Sequence, residues 1–211
     1  MIRGICIALA AALVSAGSAA AQTPLFSDNS ELAVTIEAPF STLIRTARRN
    51  TDPHPGALVQ GAQRYNLLVS ARGQTRRTTD RCSFPPLRID FENNELRETL
   101  FRGQNRLKLT THCRPSANYA QYYALEYTAY RLYNEITPLS FRARPLRVTY
   151  HDTEGRRDDE THFGFFVEDE DDLARRNSRE ALEIETGVAN ATMLVSEGAV
   201  RYALFQFMIC T

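Results

Sequence analysis

Apolar and polar residues alternate along several short stretches of the chain, the pattern of half-buried strands. Alternation over 31–39 and 64–71 predicts two strands, separated by a loop over 48–61 whose Asn, Asp, Pro and Gly residues break regular structure. Leu87, Ile89 and Phe91 alternate next, with Pro85 and Pro86 confining that run to a strand start. Residues 95–101 read as a short extended piece or a helical turn, and Gly103-Gln104-Asn105 turns the chain into a strand over 106–112. There Lys108 points away from the face of Leu107 and Leu109. The period then changes. Tyr119, Tyr122, Tyr123, Leu125, Glu126, Ala129, Tyr130, Leu132 and Tyr133 recur at three- and four-residue intervals and predict a helix over 117–134.

Thr137-Pro138 stops that helix, and strands follow over 140–150 and 162–168 around a charged turn at 152–160. The acidic run 168–172 opens a short helix through Arg176, where acids suit the positive end of the helix dipole. A last helix is predicted over 192–208, with Met193, Leu194, Val200, Leu204, Phe205 and Met208 as its apolar positions. No repeat or low-complexity segment interrupts this order. The fold class expected is α+β: an antiparallel sheet with one long helix packed on it, then a partial helical region.

The first residues change the cellular picture. Arg3, an apolar core over 5–16 and Ala19-Ala20-Ala21 make an export signal with cleavage expected after Ala21, and the destination is periplasmic or secreted. No later apolar run is long enough to span a bilayer, so no stable membrane anchor is expected. The remaining chain is one domain's worth of residues with three cysteines. In an oxidising compartment Cys82 and Cys113 are the expected disulfide, leaving Cys210 over.

The 25 basic and 25 acidic residues balance. Arginine dominates 45–114 and acids dominate 152–185, a distribution read as a solvated charged surface rather than a nucleic-acid interface. Candidate chemistry is sparse. His54, His112, His151 and His162 are scattered, are expected to be surface or strand-end residues, and define no metal site by spacing. The run 168–172 lacks the turn glycine of a calcium loop, no Gly-x-Ser-x-Gly elbow is present, and Asn190-Ala191-Thr192 is assigned no role.

Lys108 is the only lysine among the basic residues. An ammonium on a thin stem suits a narrow phosphate site, whereas a lone surface lysine surviving in an arginine-rich chain needs no function. Eighteen positions on, Glu126 lies within the tyrosine face of the long helix. Taken with Leu107-Lys108-Leu109, the stretch Tyr133-Asn134-Glu135-Ile136-Thr137-Pro138-Leu139-Ser140-Phe141-Arg142 and Phe165-Phe166-Val167-Glu168-Asp169, the chain over 86–208 resembles the amino-terminal part of the exported, CotH-like atypical kinases.

That resemblance implies a kinase-like small lobe over 22–168 and a partial helical lobe over 169–211. It implies that Lys108 contacts the phosphates of ATP with magnesium, that Glu126 pairs with Lys108, that Glu168 and Asp169 form the hinge meeting the adenine, and that Arg102 and Gly103 lie in a loop near the phosphates. No catalytic Asp, metal-binding Asn or second metal-binding Asp follows the last helix, so the chain is expected to be truncated and unable to transfer phosphate. The competing expectation is a non-catalytic interaction or envelope-assembly protein that binds a protein partner, with Lys108 and Glu126 as a structural salt bridge.

Overall fold

The computed structural model describes residues 24–92, 96–182, 190, 192 and 194–209, and structural statements refer to these. The signal segment, Glu95, Met193 and Cys210 lie outside them. Seven strands close into a barrel: β1 (Leu32–Ala38), β2 (His54–Gln60), β3 (Gln63–Ala71), β4 (Leu87–Phe91), β5 (Arg106–Thr110), β6 (Ala143–Asp152) and β7 (Glu160–Val167). The spatial order is β1-β2-β3-β4-β5-β7-β6, with β6 returning to β1.

The closed barrel corrects the expected open antiparallel sheet. Six of the seven ladders are antiparallel, but β1 and β6 run parallel from Leu32 opposite Leu146 to Ala38 opposite Asp152. Closure puts the hydrophobic core inside the barrel, built by Val34, Ile36, Leu58, Leu67, Val69, Leu87, Ile89, Leu107, Leu109, Leu146, Val148 and Phe166. A sheet that buries its apolar face against itself has no need of a helix to cover it. The long helix α2 (Ala117–Ile136) therefore lies on the outer surface, where Tyr127 and Tyr130 pack on Phe163 and Phe165 of β7.

Two further elements depart from the sequence reading. The segment expected as a loop over 48–61 contains β2, and a short helix α1 (Phe40–Thr46) follows β1. In β2, Pro55 lies beyond the ladder to β1, which spans only Ala57 to Val59, so its missing N–H costs no hydrogen bond on that side. Gly56 is required by close approach: a Cβ there would sit 2.5 Å from the Glu37 carbonyl oxygen. Helix α1 begins at Phe40, and its first amides are met by acids from beyond the end of β6. Asp152 accepts from the Ser41 amide (3.1 Å) and hydroxyl (2.7 Å), and Glu154 from the Thr42 amide (2.8 Å) and hydroxyl (2.9 Å).

The two ends of β6 are closed by different chemistry. At its start the inward-facing, buried Arg144 donates to the Leu25 carbonyl (3.2 Å), the Asp28 carbonyl (2.5 Å) and carboxylate (2.9 Å), and the Ser30 hydroxyl (3.1 Å). At its end Phe40, Phe84 and Tyr150 pack ring to ring, with centroids 4.6 to 5.6 Å apart. The Cys82–Cys113 disulfide forms as expected, beside this aromatic end. Helices α3 (Glu170–Arg176) and α4 (Ser196–Met208) complete the described chain. No described helix is long and apolar enough to cross a membrane.

The disulfide spans 31 positions, and loop closure of that length stabilises a domain by about 3 to 4 kcal/mol. Urea unfolding of the Cys82→Ser/Cys113→Ser double variant is expected to show that loss; a midpoint equal to that of the oxidised protein is the contrary result.

Candidate functional site

Lys108 sits on β5 with its side chain on the outer face, as the alternation predicts, because Leu107 and Leu109 fill the barrel. Its partner, however, is Glu170 at the start of α3, and its ammonium lies 4.7 Å from the centre of the Phe141 ring. Glu126 pairs instead with Arg76, at 2.9 Å. The pair implied by the kinase resemblance is thus replaced by two others, for a topological reason. Strand β7 lies between β5 and β6, Val167 is the register partner of Lys108, and α3 begins three residues later. The first acid of α3 reaches Lys108, while α2 is carried to the far side of β7.

The remaining residues of that expected site serve other purposes. Glu168 is buried and accepts from Arg176 at 2.8 and 3.0 Å and from the Arg142 amide at 3.1 Å, pinning α3 to the strand before it. Asp169 caps α3 by accepting from the Asp171 amide at 3.2 Å, and burial raises its carboxyl above the usual range. Asp172 is also buried and bonded to Arg175 (2.6 Å), so the acidic run is largely an anchor and not the solvated helix start expected. Arg102 and Gly103 line a separate hollow with Phe91, Asn105 and Arg175, and Lys108 is not part of it.

On the outer surface α2 carries two faces. Tyr123, Tyr127 and Tyr130 look toward the body of the protein, and Tyr123 donates its hydroxyl to the Arg114 carbonyl at 3.2 Å. The opposite face leaves Tyr122, Leu125, Leu132 and Ile136 exposed, with Leu125 at 63%. Helix α4 docks against the end of α2 through the buried Phe205, whose ring centre is 4.7 Å from that of Tyr133. Its other face exposes Val200, Leu204, Phe207 and Met208, with Phe207 at 82%. Between the helices runs a groove of about 540 Å³, floored by Tyr130, Tyr133, Phe141 and Leu173.

A second constellation was not legible from spacing. His112, which follows β5, is buried at 2% exposure and stacks on His162 of β7, with ring centres 3.7 Å apart. Glu160 and His162 share the inward face of β7 with Gly164 and Phe166. The Glu160 carboxylate Oε2 lies 3.6 Å from His112 Nε2 and 3.3 Å from His162 Nε2, and Arg157 donates to the other oxygen at 2.7 Å. His112 is therefore a strand-end residue, as one of the two expected readings had it, but a buried one and not a surface residue. The signal that could have found the group is the Glu160-x-His162 repeat, which a strand places on one face.

Several bonds fix His112. The Ser83 and Phe84 amides donate to the neighbouring Cys113 carbonyl at 2.9 and 3.3 Å, and the Thr111 hydroxyl donates to the Pro85 carbonyl at 2.9 Å. Phe84 and Tyr150 flank its ring at centroid distances of 4.6 and 5.2 Å. Burial, reinforced by His162, pushes the His112 imidazole down to about 3, so the ring is neutral. Its Nδ1 and the buried Tyr150 hydroxyl have no hydrogen-bond partner. Among the described residues, His112, Glu160 and His162 are the His, Cys, Asp or Glu side chains grouped closely enough to share one metal ion.

Comparison with protein-family models found no match, and comparison with curated proteins found none.

The depressed His112 value fixes a pH dependence. The unfolded imidazole takes up its proton near 6.5 and the folded one only near 3, so the contribution is intact above about 6.5 and is lost as pH falls toward about 3. The slope is up to about 1.4 kcal/mol per pH unit. In chelator-treated protein, denaturant unfolding of His112→Gln is expected to show a flatter decline than wild type between pH 6.5 and 4. Parallel declines would show that His112 does not titrate with unfolding.

Proposed function

We propose that the chain is a non-catalytic exported interaction protein, in which the barrel is a stiff mount for an apolar surface formed by α2 and α4. The observation that carries this reading is the exposed stripe Tyr122, Leu125, Leu132 and Ile136 on α2, together with the exposed Val200, Leu204 and Phe207 on α4, the helix that docks at the end of α2. Its three- and four-residue spacing, continued through the half-buried Ala129, is the seam that a partner helix fills with its own apolar side chains. An amphipathic helix of another exported or envelope protein is the occupant that fits. The Cys82–Cys113 disulfide and the export signal support an oxidising destination.

The nucleotide-binding reading has less support. Lys108 has its charge matched by Glu170 and its ammonium over the Phe141 ring, Glu126 belongs to Arg76, and the acids assigned to the hinge anchor and cap α3.

A photo-crosslinking residue in place of Leu132, introduced in cells that export the protein, is expected to give one discrete protein adduct. Leu125→Glu is expected to abolish it without lowering the melting temperature, because Leu125 is mostly exposed. No adduct along the stripe, or the same adducts from Thr149 on the barrel wall, would overturn the proposal. So would a rise in melting temperature with ATP and magnesium that Lys108→Ala removes.

A further inference from the structure

The polar group at the end of the barrel has a geometry that the interaction reading leaves unused. His112, Glu160 and His162 each offer one potential ligand atom, and the three atoms lie within 4.8 Å of one another. Bonds of about 2.0 to 2.1 Å at tetrahedral angles place neighbouring ligand atoms about 3.4 Å apart. The two separations from Glu160 Oε2 to the imidazole nitrogens are 3.3 Å and 3.6 Å. We propose that His112, Glu160 and His162 form a binding site for a zinc-class divalent ion at the mouth of the barrel.

Four observations support this assignment independently of the helices. Neither nitrogen of the buried His112 makes a hydrogen bond: Nδ1 has no partner, and 3.6 Å from Nε2 to the carboxylate is too long for one. A buried imidazole left in that state needs a partner, and an ion at Nε2 supplies one. The pairing of β5 with β7 brings the His112 ring to His162, with ring centres 3.7 Å apart. The site is rigid, because the ladder between β6 and β7 carries Glu160 and His162 while the disulfide and the Cys113 carbonyl bonds hold the segment bearing His112. Finally, Glu160 and His162 are each about a quarter exposed, so an ion reaches the group from solvent without opening the barrel.

The ligand set selects the class of ion. Two imidazoles and one carboxylate suit zinc and its first-row neighbours better than calcium or magnesium, which prefer all-oxygen shells. Three protein ligands leave a fourth position for water or a small anion. Arg157 occupies Glu160 Oε1, which directs Oε2 toward the imidazoles; its positive charge opposes the ion and limits affinity. Gly164, on the same inner face, allows the close approach of β5, since a Cβ there would lie 2.8 Å from the Thr110 carbonyl oxygen.

The test is calorimetric titration of zinc into chelator-treated protein, repeated with cobalt and read by its visible absorption. One ion per chain, micromolar or tighter, with the intense visible bands of tetrahedral cobalt, is the expected result. His162→Ala and Glu160→Gln both alter partly exposed side chains, so a barrel that melts normally without metal remains available for each. Each is expected to weaken binding by more than the roughly 10- to 100-fold that outer partners cost and to remove the rise in melting temperature that zinc gives the wild type. Absence of saturable zinc binding overturns the proposal. So does binding unchanged in both variants, which would place the ion elsewhere, for example at the outer pair His151 and Asp159.

Discussion

The parallel ladder between β1 and β6 is the constraint on which the rest of the structure depends. Without it β1 and β6 would be open edges, each presenting unpaired amides and carbonyls, and the interior residues Val34, Ile36, Val148 and Tyr150 would face water instead of one another. With it, the core is sealed on all sides by its own backbone. The same ladder carries Asp152 to the start of α1, where burial opposes its charge but bonds from Ser41 and the Arg156 amide outweigh that and hold its carboxyl below the usual range. One pairing thereby sets the closed wall, the lid over one end and the position of the charges that fasten it.

Closure also divides the polar groups of this chain by task. Charges on the outer wall, such as Arg88 of the same strand and Arg106 of the neighbouring strand on Asp90, pair in contact with water and contribute little individually. The groups drawn inside the ends are more demanding. Arg144 spends its guanidinium on four oxygens at one end. At the other, His112 and Tyr150 keep polar atoms unsatisfied beside a carboxylate. A well-packed apolar plug would be the more stable solution for that end, so its polarity points to a ligand more strongly than its stability does.

Much of the wall was legible in the sequence because alternation is a local property. Leu107 and Leu109 against Lys108, or Leu146 and Val148 against Arg147, declare their faces without knowledge of any partner. Strand β2 escaped because Pro55 and Gly56 resemble loop residues, yet the first lies beyond the ladder to β1 and the second where no side chain fits. The order of strands in space was not legible. A strand lysine followed by a helix glutamate reads like a nucleotide site only if that helix returns to that strand, and the insertion of β7 beside β5 gives Lys108 to α3 instead. The histidine group was hidden for the same reason, since His112 meets Glu160 and His162 only through the β5–β7 pairing. The disulfide was legible because the four cysteines of the chain include only three beyond the expected signal segment, which leaves few choices.

The β1–β6 ladder has a consequence for a chain that emerges from its amino end. Strand β1 appears early, and it waits for β6 while every other strand except β7 is made. Until Asp152 has emerged the wall has a gap, so the hydrophobic interior cannot be sealed. Late closure leaves the apolar faces of the earlier strands at an open seam, so the barrel becomes whole only after four further strands have followed β1 and β6 has joined it.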